Sequence, residues 1–210
     1  MPSFEVIGLS PNFVDYEAAW QLQKSVHNRV AKGEISDTVL LLEHSSVFTA
    51  GKRTEDEERP MDGTPVIDVD RGGKITWHGP GQLVGYPIMK LPEPIDVVGY
   101  VRWLEQVLIN SIAEFGIVGE RVGGRSGVWV NVDGAYEKVA AIGIRVAEKV
   151  TMHGFALNCN NSLDPYETII ACGIRDAKTT TLSLQAGSEI TPAMAIEVIQ
   201  KHLGEIELRR

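Results

Sequence analysis

The stretch RGGKITWHGPGQ, residues 71–82, is the most unusual part of the chain, with four glycines in twelve positions. It follows PVIDVD, residues 65–70, in which apolar and polar residues alternate as they do in a β-strand. Glycine lets a backbone approach a ligand closely and leaves N–H groups free to meet an anion or a developing oxyanion. The spacing matches neither a dinucleotide-binding fingerprint nor a P-loop. The pattern favours a ligand-binding loop, although an irregular strand connection would also account for the glycines.

The segments on either side of this stretch predict a mixture of helices and strands. Upstream, Ser10-Pro11 is suited to start a helix, and the apolar run at residues 38–43 is typical of a buried strand. Downstream, Asp96 is placed to cap a long helix with one apolar face.

Further along, Asp133-Gly134 separates two apolar segments and predicts a hairpin with a loop of two residues or more. Because the strands and helices follow no regular βαβ period, we expect an α/β (α+β) fold. The sequence contains no internal repeat and no linker rich in glycine, serine or proline. We therefore expect a single domain over residues 1–210, with a mixed β-sheet flanked by helices.

The composition is that of an ordinary globular protein, with 43% hydrophobic and 23% charged residues. The formal net charge of −8 argues against a general nucleic-acid binder. The apolar runs are too short to span a membrane, and the first residues do not resemble a secretory signal. With two cysteines and no zinc-ligand spacing, we expect no disulfide framework and no metal, and a cytoplasmic protein with reduced thiols.

The segment at residues 52–63 concentrates charged side chains, and we expect it to be a solvated loop. Among the possible bases, His44, His78 and His153 lie at the ends or edges of predicted strands, where a general base could reach a site. Lys138 opens an apolar strand, so it is either a solvated strand end or a partly buried amine able to share a proton with a thiol.

Cys172 precedes a flexible glycine after a predicted short helix, and Cys159 ends a predicted strand. A catalytic thiol needs a nearby cation, base or helix N-terminus. The local pattern alone leaves both cysteines open to the simpler interpretation of small buried hydrophobes.

Several segments together resemble the signature of the lipoyl(octanoyl) transferase family. Their order and spacing agree over nearly the whole chain, from about Ser3 to Leu203. The matching segments are RGGKITWHGPGQ at 71–82, YPI at 86–88, GVWV at 127–130, KVAAIGIR at 138–145, HGFALN at 153–158 and CGI at 172–174. This resemblance implies a fold like that of the catalytic domain of biotin and lipoate ligases.

The resemblance also implies roles for individual residues. Cys172 matches the acyl-accepting cysteine of the family and Lys138 its paired lysine. Ala171 departs from the proline that many members carry, and Cys159 matches a position that is usually aliphatic. Contacts to the acyl chain and thioester match two sets of positions: the loop residues Arg71, Gly72, Gly73, Lys74, Ile75, Thr76, Trp77 and His78, and the strand residues Ala141, Ile142, Gly143, Gly154, Phe155 and Ala156.

The implied activity moves octanoate from octanoyl-acyl carrier protein, through a thioester on the cysteine, to a lysine of a lipoyl domain. The implied acceptors are the E2 subunits of 2-oxoacid dehydrogenases and the glycine cleavage H protein. No cofactor is expected, and we expect a monomer that binds neither nucleic acid nor membrane. The alternatives are an ATP-dependent lipoate or biotin ligase, a cysteine hydrolase, and a non-catalytic module that binds the carrier.

The carrier is acidic, so its docking on this acidic chain requires a local basic patch. Five cations are candidates for that patch: Arg71, Lys74, Arg121, Arg125 and Arg145.

Overall fold

The computed structural model describes residues 1–61, 63–169 and 178–205. Four α-helices lie in this part of the chain: α1 (Tyr16–Ala31), α2 (Val97–Ala113), α3 (Leu182–Ala186) and α4 (Pro192–Glu205). Short 3-10 helices cover Asp56–Glu58 and Asp164–Thr168. The strands are β1 (Ser3–Gly8), β2 (Thr38–Leu42), β3 (Val47–Ala50), β4 (Val66–Asp68), β5 (Thr76–His78), β6 (Gln82–Ile88), β7 (Glu120–Val122), β8 (Arg125–Val132), β9 (Ala135–Ala147), β10 (Val150–Asn158) and β11 (Lys178–Thr179).

The main sheet of the described residues has eight strands in the order β1-β2-β6-β10-β9-β8-β7, and β11 pairs with β9 beside that path. The β1–β2 and β11–β9 pairs are parallel, whereas the other neighbours are antiparallel. The expected mixed sheet flanked by helices is therefore confirmed. None of the helices in the described ranges is long and apolar enough to cross a membrane.

Both faces of the main sheet are covered, which explains the unbroken apolar run of β2. Leu40 and Leu42 pack in a cluster with side chains of α1, whereas Val39 and Leu41 pack on the other face with side chains of α2 and α4. Successive side chains of a strand point to opposite faces, so a strand covered on both sides needs apolar residues at every position.

The ends of the two long helices show which capping predictions were correct. Asp96 caps α2 as predicted, since its carboxylate accepts a hydrogen bond from the Gly99 N–H at 2.7 Å. The expected helix start at Ser10-Pro11 was wrong. Helix α1 begins at Tyr16 because the Asp15 carboxylate accepts from the Ala18 N–H at 2.9 Å and supplies the cap.

The predicted hairpin is also present. Val132 and Ala135 are paired across β8 and β9, and Asp133 and Gly134 form the two-residue turn with φ values of 50° and 88°. Positive φ at both turn positions matches the twist of the flanking strands, which is why this dipeptide is favoured there.

The glycine-rich stretch links a small sheet to the main one. Strands β4, β3 and β5 form this second sheet, residues 69–75 connect β4 to β5, and residues 79–81 lead from β5 to β6 of the main sheet. Within the first connection, the Gly72 N–H donates to the Ile144 carbonyl of β9 at 2.9 Å. The stretch is thereby held against the half-buried second half of β9.

Candidate active site

A cavity of about 220 Å³ lies where the glycine-rich stretch meets α1, β6, β9 and β10. Most residues that the sequence assigned to substrate contact line it together with Lys138. They are Arg71, Gly73, Lys74, Thr76, His78, Ala141, Ile142, Gly143, Gly154, Phe155 and Ala156. These residues come from three separate segments of the sequence, and the register of β9 against β10 brings two of them together.

Three assigned residues of the stretch lie away from the cavity lining. Ile75 is fully buried and packs with Trp77 in a small cluster that includes Phe48 and Ile169. Gly72 faces β9 through its backbone bond to Ile144. In the structure these residues shape the wall of the cavity from behind.

Arg71 holds the glycine-rich loop in shape from inside. Its guanidinium donates to the carbonyls of Gly72 at 3.0 Å, Lys74 at 2.9 Å and Thr49 at 2.9 Å. The side chain is 7% exposed, so its charge lies within the protein. Arg71 therefore organises the backbone N–H groups of the loop as well as lining the cavity.

The charged segment at 52–63 is more than the solvated loop that was expected. Glu58 is 4% exposed, and its carboxylate pairs with the Lys74 ammonium, which also bonds Glu55 at 2.9 Å. Arg53 of the same segment reaches the cavity lining. Sequence reasoning missed this because the partners are brought together only when the small sheet forms.

Two glycines of the cavity wall lie very close to neighbouring protein atoms. A Cβ at Gly143 would lie 3.0 Å from both Arg71 Cδ and the Gly72 carbonyl oxygen. A Cβ at Gly154 would lie 2.2 Å from the Gly85 carbonyl oxygen. Glycine at these positions lets the loop and the strands approach each other closely.

Lys138 is 9% exposed, and its ammonium nitrogen lies 4.6 Å from the centroid of the Trp129 ring. Trp129 is its cross-strand neighbour on β8, and Thr179 of β11 is its partner on the other side. No carboxylate of the described ranges forms an ion pair with Lys138. A partly buried ammonium held by an aromatic ring and lacking a carboxylate partner there is well suited to stabilise an anion.

Of the two cysteines, Cys159 lies among the described residues. Cys172 and Ala171 lie outside the described residues. Cys159 is fully buried, and burial raises the pKa of its thiol to about 12. A thiol in this environment has almost no thiolate at neutral pH, so Cys159 is a structural residue.

Three buried histidines lie in or next to the cavity. Burial lowers the pKa of His44 to about 4, of His78 to about 3 and of His153 to about 4. The His153 Nε2 lies 2.8 Å from the Asp70 carboxylate, and the His44 Nε2 lies 2.7 Å from the Tyr86 hydroxyl. All three rings are therefore neutral at pH 7 and engaged with protein groups.

Some lining residues could not be found from the sequence. Tyr16 of α1 and Val84 of β6 contribute to the cavity, and no signal in the sequence marked them as site residues. Tyr86 of β6 also lines it and belongs to the matching segment at 86–88. The described ranges contain no group of three or more His, Cys, Asp or Glu side chains that could hold a metal ion.

Comparison with known proteins identifies the family. The model of the lipoyl protein ligase A/B catalytic domain matches residues 15–204. An octanoyltransferase of Leifsonia xyli is 60% identical over 210 residues, covering 97% of this chain and 94% of the relative. The chain belongs to the octanoyltransferase family. An octanoyltransferase of Salinispora arenicola is 62% identical over 192 residues, covering 90% of each protein.

The fold is shared with solved structures of lipoate and biotin protein ligases. A bipartite lipoate protein ligase of Thermoplasma acidophilum superposes with a TM-score of 0.71 at 14% identity, covering 100% of this chain and 87% of that one. A biotin protein ligase of Aquifex aeolicus gives 0.57 at 15% identity, covering 98% and 69%. At these identities the likeness establishes the fold only. The close octanoyltransferase relatives make this chain an acyltransferase of lipoate biosynthesis.

Proposed function

We propose that this octanoyltransferase takes octanoate from octanoyl-acyl carrier protein onto Cys172 and passes it to a lysine of a lipoyl domain. The observation that carries the proposal is the cavity that joins Lys138 to the glycine-rich loop, with an ammonium that no carboxylate of the described ranges neutralises. The role of Cys172 is drawn from the family motif. The burial of Cys159 argues against that residue as the nucleophile.

In the first transfer, the Cys172 thiolate attacks the carbonyl carbon of the carrier thioester. The bond between that carbon and the sulfur of the carrier breaks, and the departing sulfur takes a proton to become a thiol. One thioester replaces another, so no ATP is needed. Lys138 as an ammonium would favour the attacking thiolate, and backbone N–H groups of the glycine-rich loop are candidate donors to the oxyanion.

In the second transfer, the uncharged amine of the acceptor lysine attacks the acyl-enzyme. The carbon–sulfur bond to Cys172 breaks, an amide forms, and the amine proton passes to the leaving thiolate or through Lys138. An amide is more stable than a thioester, which makes this step downhill. The proposed acceptors are lipoyl domains of 2-oxoacid dehydrogenase E2 subunits and of the glycine cleavage H protein.

The acyl chain would lie along β9 and β10, in the cavity lined by Ala141, Ile142 and Ala156. Burying its seven carbons beyond the carbonyl would contribute at most about 5–6 kcal/mol, at ~0.8 kcal/mol for each CH₂.

The carrier would dock through Arg53 and Arg125, which both line the cavity. Arg125 is one of the five cations that the sequence offered for this role, and Arg53 is added by the structure. Arg71 and Lys74 also line the cavity, whereas Arg121 and Arg145 do not. A phosphodiester on the arm of the carrier is an anion of the size that two arginines bind.

Intact-protein mass spectrometry tests the proposed route. The purified enzyme mixed with octanoyl-acyl carrier protein should gain one octanoyl mass on Cys172 without ATP or Mg²⁺. Added lipoyl domain should discharge it, and hydroxylamine should strip the group from the enzyme but not from the domain. An absolute requirement for ATP and free octanoate would favour a ligase, and release of free octanoate would favour a hydrolase. An acyl-enzyme that cannot be trapped without acceptor would refute the covalent route.

A further inference from the structure

A continuous chain of buried side-chain hydrogen bonds runs from Arg71 of the glycine-rich loop to Thr180, the residue that follows β11. On the loop side, Arg71 Nη2 lies 2.9 Å from Thr49 Oγ1, and Thr49 Oγ1 lies 3.4 Å from His78 Nε2. His78 Nδ1 then lies 2.8 Å from Gln82 Oε1. On the far side, Gln82 Nε2 lies 2.9 Å from Asn158 Oδ1, and Asn158 Nδ2 lies 3.0 Å from the Thr180 carbonyl. Gln82 is fully buried and Asn158 is 3% exposed.

The two ends of this chain determine its direction. The Arg71 guanidinium can only donate, and the Thr180 carbonyl can only accept. Asn158 must therefore turn its NH₂ toward Thr180 and its oxygen toward Gln82. Gln82 in turn presents its NH₂ to Asn158 and its oxygen to His78. Every junction then joins a donor to an acceptor.

This direction assigns His78 a tautomer and removes it as a general base. Its Nδ1–H donates to Gln82, and its Nε2 lone pair faces the Thr49 hydroxyl. The neutral ring satisfies this arrangement, consistent with the burial that lowers its pKa. Both ring nitrogens of His78 are thus hydrogen-bonded within the protein, and His78 links Thr49, which Arg71 contacts, to Gln82.

The Gln82–Asn158 amide pair contacts both flanks of residues 170–177. On the preceding flank, the Tyr166 hydroxyl accepts from Gln82 Nε2 at 2.9 Å and donates to Asn158 Oδ1 at 3.2 Å. On the following flank, Asn158 holds the Thr180 carbonyl, and the Thr180 N–H donates to the Lys138 carbonyl at 2.9 Å. One pair of amides therefore ties the two flanks to each other and to the strand of Lys138.

We infer that Gln82 and Asn158 are positioning residues for acyl transfer, which set the flanks of the cysteine-bearing segment relative to Lys138. The inference rests on the proposed function, in which Cys172 is the nucleophile and Lys138 its cation. The amides touch neither the acyl group nor the reacting sulfur in this scheme. They act by limiting where the two flanks can lie.

The test uses Gln82→Met and Asn158→Leu, which keep similar side-chain volumes and remove the amide bonds. Both should lower kcat for octanoyl transfer at least tenfold and raise the pH midpoint of Cys172 alkylation by iodoacetamide by about one unit. Gln82→Glu keeps an acceptor for His78 but cannot donate to Asn158, and it should not restore the rate. Gln106→Met is the matched control, because the Gln106 amide bonds Asn110 at 2.7 Å and Arg121 at 2.9 Å and contacts neither flank of the cysteine segment. It should stay within about twofold of wild type.

If either variant fails to fold, Tyr166→Phe is the substitute, because it removes only the hydroxyl that bonds Gln82 and Asn158. It should lower kcat about threefold and raise the pH midpoint of Cys172 alkylation by less than the amide variants do. Wild-type rates with unchanged alkylation midpoints would overturn the inference. A lower rate with an unchanged midpoint would also overturn it, because the loss would then not act through the cysteine. A wild-type enzyme that takes no octanoyl mass on Cys172 would instead refute the proposed function.

Discussion

Thr179 lies directly opposite Lys138 in the parallel pair formed by β11 and β9. The chain thus returns to the strand of the ammonium only seven residues after Cys172. The same lysine is buried against Trp129 on its other side. Lys138 is therefore flanked by two neighbouring strands, and β11 is the first of them to follow the cysteine in the sequence.

The first prediction separates the two thiols. Cys172→Ser should abolish octanoyl transfer, because a serine hydroxyl is not ionised near pH 7 and cannot replace the thiolate. Cys159→Ser should retain most of the activity of the folded enzyme. The measurement is octanoylation of a lipoyl domain by mass spectrometry, with circular dichroism to establish folding. Comparable losses in two well-folded variants would reverse the assignment.

The second prediction concerns Lys138. A nearby ammonium lowers a thiol pKa by about one to three units, so Lys138→Ala should raise the Cys172 pKa by that amount and slow its alkylation at pH 7 about tenfold or more. Lys138→Arg keeps a cation and should give a smaller shift. The pH profile of iodoacetamide labelling at Cys172 measures both. A profile for Lys138→Ala that superposes on wild type would remove Lys138 from this role.

The third prediction concerns the docking of the carrier. Arg53→Gln and Arg125→Gln should each raise KM for octanoyl-acyl carrier protein about two- to fivefold, since an exposed charge contact contributes about 0.5–1 kcal/mol. Octanoyl-pantetheine lacks the phosphate, so its kinetics should be unaffected. Arg29→Gln makes the same charge change on the exposed end of α1 and serves as the control. Equal effects of all three variants would contradict a docking role.

The fourth prediction concerns stability in acid. His44, His78 and His153 have folded-state pKa values below the 6.5 of the unfolded chain, so the unfolded state binds more protons below pH 6.5. Their contribution to the free energy of unfolding is complete above pH 6.5 and is lost as the pH falls toward 4. Each contributes at most about 1.4 kcal/mol per pH unit in that window. Urea unfolding at pH 7, 6 and 5 measures the slope.

His78→Gln provides the comparison for this prediction. The variant should be less stable than wild type at pH 7, because it disturbs the buried contacts of His78 with Gln82 and Thr49. Its unfolding free energy should nevertheless fall less steeply between pH 6.5 and 5. Parallel slopes for the two proteins would show that His78 is not a neutral buried histidine.

Local features of the fold were predictable from the sequence where local physics decides them. The cap at Asp96 and the turn at Asp133-Gly134 depend on residues no more than three positions apart. The start of α1 was not predictable in the same way, because Ser10 and Asp15 are both suitable caps. The bond from the Ser10 N–H to the Glu43 carboxylate, at 2.9 Å, shows that tertiary contacts direct Ser10 elsewhere.

The same distinction between local sequence and tertiary contacts holds for the site. The residue types of the motif and the family resemblance predicted the chemistry, with a cysteine, a lysine and a glycine-rich loop. Only the tertiary structure decided that Glu58 holds Lys74, that Arg53 reaches the cavity, and that Gln82 meets an amide 76 positions away at Asn158. These contacts join segments that are distant in the sequence, so they depend on the register of the strands in the sheet. A shift of one residue in that register would turn the side chains of a strand to the opposite face of the sheet.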